Sequence, residues 1–161
     1  MTIHKDVQIG HVHLTVSDLK RSLTFYRDLL GFKITAQYGD SAVFLSAGGY
    51  HHHIALNTWA GKGATRAPAG HTGLYHAAIL FPNRTELAIT LQKLMDAKYQ
   101  LTGASDHGVS EAIYLNDPDG NGIELYADRP RAEWNINVDG SIEMKTEPLD
   151  ILDLLRAGEK K

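Results

Sequence analysis

Nine histidines and no cysteine stand in this chain of 161 residues. Without cysteine there are no disulfides, thiol nucleophiles, zinc ribbons or iron–sulfur clusters. Metal chemistry is then left to nitrogen and oxygen donors. Two histidines occupy matching places: His11 lies five residues before Val16 and His76 five before Phe81, each near the start of an apolar stretch, and 76 − 11 gives a spacing of 65. Glu124 sits between Ile123 and Leu125. On a strand, alternation turns its carboxylate away from the face those two occupy. Two imidazoles and one carboxylate brought to one point would hold a divalent cation on one side. Three octahedral positions would stay open, the arrangement suited to non-haem Fe(II) and O2. Read without a metal, the three are unrelated polar residues at strand ends, and the residues alone leave both readings open.

Other side chains could join such a site. His51-His52-His53 interrupts an apolar stretch; on a strand, alternation would set His51 and His53 on one face and His52 on the other. Asn57 and Trp59 follow and could line a pocket, although a tryptophan is as readily core. His107 falls in the loop-like Ser105-Asp106-His107-Gly108, and Tyr114 in an apolar strand. His13 shares strand parity with His11 and is its rival as a ligand; the 65-residue landmark favours His11.

The elements that must position these residues occur twice. Val7–Val16 reads as a strand, Ser17 and Asp18 as a helix cap, and Leu19, Leu23, Tyr26 and Leu30 as one helical face stopped by Gly31. Short strands follow around 33–38, 42–46 and 51–58. Residues 59–73, rich in Gly, Ala, Thr and Pro, read as a loop. The order then recurs: a strand over 74–81, a helix after Pro82-Asn83 with Leu87, Leu91, Leu94 and Met95 on one face, and strands near 99–101, 111–116 and 122–126. The expected fold is α+β: two βαβββ modules, about 7–60 and 72–128, forming a curved mixed sheet around a metal cavity within a domain over 1–131. The tail, 132–161, is polar, with a short amphipathic helix whose stripe reads Leu149, Leu152, Leu155.

Composition narrows the function classes. A hydrophobic share of 43% supports a real core rather than disorder. With 16 basic against 19 acidic residues the formal charge is −3, which excludes bulk electrostatic binding to nucleic acid. No apolar run approaches membrane-spanning length and Met1–Gly10 lacks a signal-peptide core, so a cytoplasmic protein is expected. No GxSxG elbow, Walker A loop or HExxH helix occurs, and Gly61-Lys62-Gly63 is too short for a phosphate loop.

Three strings carry a family resemblance. Gly10-His11-Val12-His13-Leu14-Thr15-Val16-Ser17-Asp18-Leu19, Ser22-Leu23-Thr24-Phe25-Tyr26-Arg27-Asp28-Leu29-Leu30-Gly31-Phe32 and Asp117-Pro118-Asp119-Gly120-Asn121-Gly122-Ile123-Glu124-Leu125 resemble the vicinal oxygen chelate (glyoxalase/extradiol dioxygenase) superfamily over residues 7–128. The resemblance places the metal ligands on His11, His76 and Glu124. The fourth ligand place of glyoxalases falls in His53-Ile54-Ala55-Leu56, where no acid stands. Three protein ligands suit a redox site for Fe(II), with Mn(II) as the other candidate. Gly48-Gly49-Tyr50-His51-His52-His53, Asn57-Thr58-Trp59-Ala60-Gly61, Gly73-Leu74-Tyr75-His76 and Ala127-Asp128-Arg129-Pro130-Arg131 are similar to strings of bacillus-type catechol 2,3-dioxygenases. That branch implies an aromatic diol and O2 as substrates. It implies His53 as acid/base, taking a catechol proton and later returning one, with Tyr114 and His107 donating hydrogen bonds to substrate oxygens and Trp59 and Asn57 near the substrate.

Extradiol enzymes usually carry two module pairs, and about half that length stands here, so a homodimer or higher homo-oligomer is expected to supply missing walls. Three alternatives remain: a three-ligand metal-dependent thiol transferase, a glyoxalase-like enzyme, and a non-enzymatic binding protein of the same fold.

Overall fold

The computed structural model describes residues 2–68 and 70–159. Its chain divides into two compact units, Met1–Ala69 and Gly70–Lys161. Each unit builds its own mixed sheet, and the order within the sheets repeats.

In the first unit β1 (Val12–Thr15) leads into α1 (Leu19–Leu23), and β2 (Lys33–Tyr38), β3 (Ala42–Ser46) and β4 (Ile54–Asn57) follow. The sheet order is β1-β4-β3-β2, with β1 parallel to β4 and the other pairs antiparallel. Asp18 caps α1 by accepting from the Arg21 N–H at 2.8 Å. The expected single helix over 19–30 is instead one α-helical turn followed by a π-helical stretch, Thr24–Leu29. The wider turn accompanies two large neighbours, Phe25 and Tyr26, that are both buried. Gly31, at φ +89°, ends the helix where a side chain would be strained.

Two strands are shorter than expected. The Val7–Val16 stretch pairs only over Val12–Thr15, because Val7 and Ile9 are exposed. His51, His52 and His53 precede β4 rather than lying on it, so strand alternation does not sort their side chains. All four residues of β4 are buried, as a strand between two neighbours demands.

The second unit repeats the pattern with β5 (Ala77–Phe81), α2 (Arg84–Asp96), β6 (Leu101–Asp106), β7 (Ser110–Asn116) and β8 (Gly122–Asp128). Here too the first strand runs parallel to the last, in the order β5-β8-β7-β6. Asn83 caps α2 through the Glu86 N–H at 3.0 Å. Leu87, Ala88, Leu91 and Leu94 form its buried face, whereas Met95 is 45% exposed, about 100° beyond Leu94 around the helix. The strand expected over 99–101 starts at Leu101 and extends to Asp106, which moves His107 to the β6–β7 turn.

The tail belongs to this second unit. After a 3-10 turn at Arg131–Glu133, β9 (Glu147–Pro148) pairs with β6, and α3 (Ile151–Gly158) lies on α2. The buried residue of α3 is Leu154, not Leu152, which is 66% exposed. The packed stripe is therefore Ile151, Leu154, Leu155 and Gly158, the i, i+3, i+4, i+7 face that abuts α2. A Cβ on Gly158 would stand 3.3 Å from the Ala88 methyl, so its small size permits the close approach. Lys160 and Lys161, the end of the expected tail, lie outside the described residues.

Candidate functional site

His76 and Glu124 meet within the second unit. Each is placed by a strand: His76 immediately precedes β5, and Glu124 lies at the centre of β8, whose burial alternates as expected, with Ile123, Leu125 and Ala127 inward. The parallel pairing of β5 with β8 carries the two side chains together, His76 Nε2 standing 2.8 Å from Glu124 Oε2. Gly122 permits this approach. A Cβ there would collide with the Tyr75 carbonyl and stand 3.1 Å from the His76 Cβ.

Tyr114 and His107 extend the line. Tyr114 is the direct antiparallel partner of Glu124, and its hydroxyl lies 3.3 Å from Glu124 Oε1. His107 Nε2 is 2.6 Å from the same hydroxyl. Burial raises the Tyr114 pKa to about 12, with the Glu124 charge acting in the same direction. The phenol therefore keeps its proton throughout the physiological range. At its far side His107 Nδ1 lies 2.7 Å from the Lys145 carbonyl oxygen. His76, Glu124, Tyr114, His107 and Lys145 thus form one chain of polar contacts.

The first unit holds a second gathering. His11, exposed just before β1, packs its ring 4.4 Å from that of His52. His51 Nδ1 and His52 Nδ1 are 2.7 Å apart, one donating and the other accepting. Burial lowers the His52 pKa, and His11, His51, His13 and His53 each push it the same way.

His53 is fixed by its backbone between β1 and β3: Val12 N–H donates to its carbonyl, and its own N–H donates to Leu45. Its Nδ1 meets the Ala47 N–H at 3.3 Å and the Ser46 hydroxyl at 3.0 Å. A backbone N–H only donates, so Nδ1 accepts and the neutral ring carries its proton on Nε2. Asn57 has both ends committed, Nδ2 to His13 Nε2 at 2.9 Å and Oδ1 to the Trp59 N–H at 3.1 Å. Trp59 is 60% exposed, with its indole N–H on the Ser41 hydroxyl.

The structure therefore brings His76, Glu124, Tyr114 and His107 together in one unit, and His11 with His51 and His52 in the other. Among the described residues no three His, Cys, Asp or Glu side chains form a ready metal cluster. The donors of the second unit nonetheless fit a divalent transition metal. An imidazole nitrogen and a carboxylate oxygen 2.8 Å apart match neighbouring ligands, since donors about 2.1 Å from a cation at right angles stand about 3 Å apart. Sequence reasoning missed the backbone partners, Ala47 N–H and the Lys145 carbonyl, because residue type does not register where a main-chain group points.

Residues 8–125 match the sequence model of the Glyoxalase/Bleomycin resistance protein/Dioxygenase superfamily. The chain is 43% identical over 162 residues to the catechol-2,3-dioxygenase of Bacillus subtilis, covering 99% of this chain and 55% of that one. It is 30% identical over 121 residues to biphenyl-2,3-diol 1,2-dioxygenase 3 of Rhodococcus globerulus, covering 75% and 63%. The metallothiol transferase FosB of Staphylococcus saprophyticus is 29% identical over 120 residues, covering 73% and 75%. The chain spans about half the length of the Bacillus relative. Among solved structures, a glyoxalase/dioxygenase from Nostoc punctiforme shares the fold with a TM-score of 0.67 at 17% identity, covering 81% of this chain and 97% of that one.

Proposed function

We propose that this chain, which belongs to the Glyoxalase/Bleomycin resistance protein/Dioxygenase superfamily, is a metal-dependent extradiol dioxygenase that opens a catechol-type ring with O2. His11, His76 and Glu124 are assigned as the holders of Fe(II), with Mn(II) as the other candidate. Bound there, the metal would make the diol more acidic and couple the electron-rich ring to O2. Both oxygen atoms end in a ring-opened semialdehyde.

The remaining residues have separate tasks. His53 is assigned as the acid/base, with Nε2 toward the oxygens of the ring: in the tautomer whose Nδ1 accepts from the Ala47 N–H, Nε2–H donates a hydrogen bond there and stabilises negative charge as it develops. Taking a catechol proton calls for the other tautomer, in which Nδ1–H donates to the Ser46 hydroxyl and Nε2 presents a lone pair; the imidazolium so formed then returns the proton. Asn57 acts through His13 and Trp59, which it ties together, and Trp59 offers the exposed aromatic face to substrate. Tyr114 and His107 form a polar wall beside Glu124.

One observation carries the reading most: Glu124 and His76 are in contact, and two further residues of the extradiol pattern, Tyr114 and His107, continue from them. The similarity to two catechol-type dioxygenases supports it. Fe(II) loading under anaerobic conditions, followed by O2 and a panel of substituted catechols, tests it. The expected result is a yellow ring-fission product with one O2 consumed per ring. Iron-loaded protein that takes up no O2 with any catechol overturns it. A second reading has its own support, since the match to FosB covers 75% of that chain against 55% for the Bacillus dioxygenase. Metal-dependent addition of a thiol to an epoxide without O2 would favour that reading.

A further inference from the structure

We propose that the carbonyl of Lys145, carried by the C-terminal strap, positions His107 as its Nδ1–H tautomer, so that His107 Nε2 accepts the Tyr114 proton and the phenol oxygen presents itself as an acceptor. This deepens the dioxygenase reading above and rests on it for its catalytic meaning, but not for its geometry.

A carbonyl oxygen only accepts. The 2.7 Å contact between His107 Nδ1 and Lys145 O therefore requires the proton on Nδ1. A neutral imidazole has a single N–H, so Nε2 is a lone pair, 2.6 Å from the Tyr114 hydroxyl. The phenol has one proton and two acceptors within reach, His107 Nε2 at 2.6 Å and Glu124 Oε1 at 3.3 Å. The shorter contact takes it. A role for His107 as donor toward substrate, the expectation from resemblance, is thereby reversed, because its only N–H is turned to the strap.

The strap is built to hold this contact. Lys145 N–H donates back to the His107 carbonyl at 3.2 Å, and β9 continues the pairing, with Glu147 opposite Asp106 and Pro148 opposite Ser105. Gly108, at φ +77°, makes the turn beside it, where a Cβ would stand 3.3 Å from the Lys145 side chain. His107 Nδ1 thus depends on a residue 38 positions away, beyond the stretch that matches the superfamily.

Two-bond 1H–15N correlation NMR on the full-length, metal-free protein reads the tautomer, with His107→Gln assigning the signal. The expected pattern is Nδ1–H. An Nε2–H pattern overturns the proposal. Removing Thr146, which lies between the two anchored points Lys145 and Glu147, forces the strap out of register. His107 should then change to Nε2–H, and the iron-loaded variant should lose tenfold or more in kcat with KM and bound iron within about twofold. An unchanged tautomer in a folded Thr146-deleted protein overturns the positioning role. If His107 is Nδ1–H as expected but no catechol is turned over, the dioxygenase reading fails and the positioning stands.

Discussion

At the residue scale, His53 and His107 are held by backbone groups of opposite sense. An amide N–H meets Nδ1 of the first and a carbonyl meets Nδ1 of the second. The neutral rings must therefore offer opposite outer nitrogens, a donor on His53 and an acceptor on His107. His53→Ala is expected to lower kcat by about 10²–10⁴-fold, the range of a lost general acid, while leaving metal binding intact. His53→Gln, which donates a hydrogen bond but does not release a proton, should recover only part of that loss. Steady-state kinetics beside metal analysis checks both, and normal turnover by His53→Ala would remove the assigned role.

At the element scale, the approach of β8 to the residues before β5 and the docking of the tail on β6 matter most. Gly122→Val places a side chain against the Tyr75 carbonyl and the His76 Cβ, and is expected to weaken metal binding at least tenfold. A metal titration of the folded variant decides this.

The tail is tied down by charge. Arg129 bridges Asp106 at 2.8 Å and the buried Glu111 at 2.9 Å, and Arg84 joins Glu111 to Asp153 of α3. Burial alone would raise the Asp106 pKa, but the Gly108 N–H, Arg129 and Lys145 outweigh it, and the value lies below the ordinary one. A carboxyl with a lowered folded pKa contributes stability that is complete above its unfolded value, about 4, and is lost as pH falls through the folded value. Hydrogen exchange at β6 and β9 should accelerate below about pH 4, and Asp106→Asn should abolish that step.

At the scale of the whole molecule, several apolar side chains of the tail are exposed. Ile136 and Ile142 form an isolated bridge, and they and Val138 and Met144 are exposed. Exposed apolar side chains favour association, and a homodimer or higher homo-oligomer is the expected state. Light scattering coupled to size exclusion checks it, and Val138→Lys should shift the population toward monomer.

Among the described residues no helix is long and apolar enough to cross a membrane. The repeated strand–helix–three-strand order, the spans of β2 and β3 and the cap of α1 follow from periodicity and cap chemistry, both local properties of the chain. Three features were decided elsewhere. His51, His52 and His53 precede their strand because pairing, not hydropathy, sets where β4 begins. Leu154 rather than Leu152 is buried because the face of α3 is chosen by α2. The proton positions on His53 and His107 come from main-chain groups that tertiary register brings to them, and a main-chain N–H or carbonyl looks the same at every residue of a sequence.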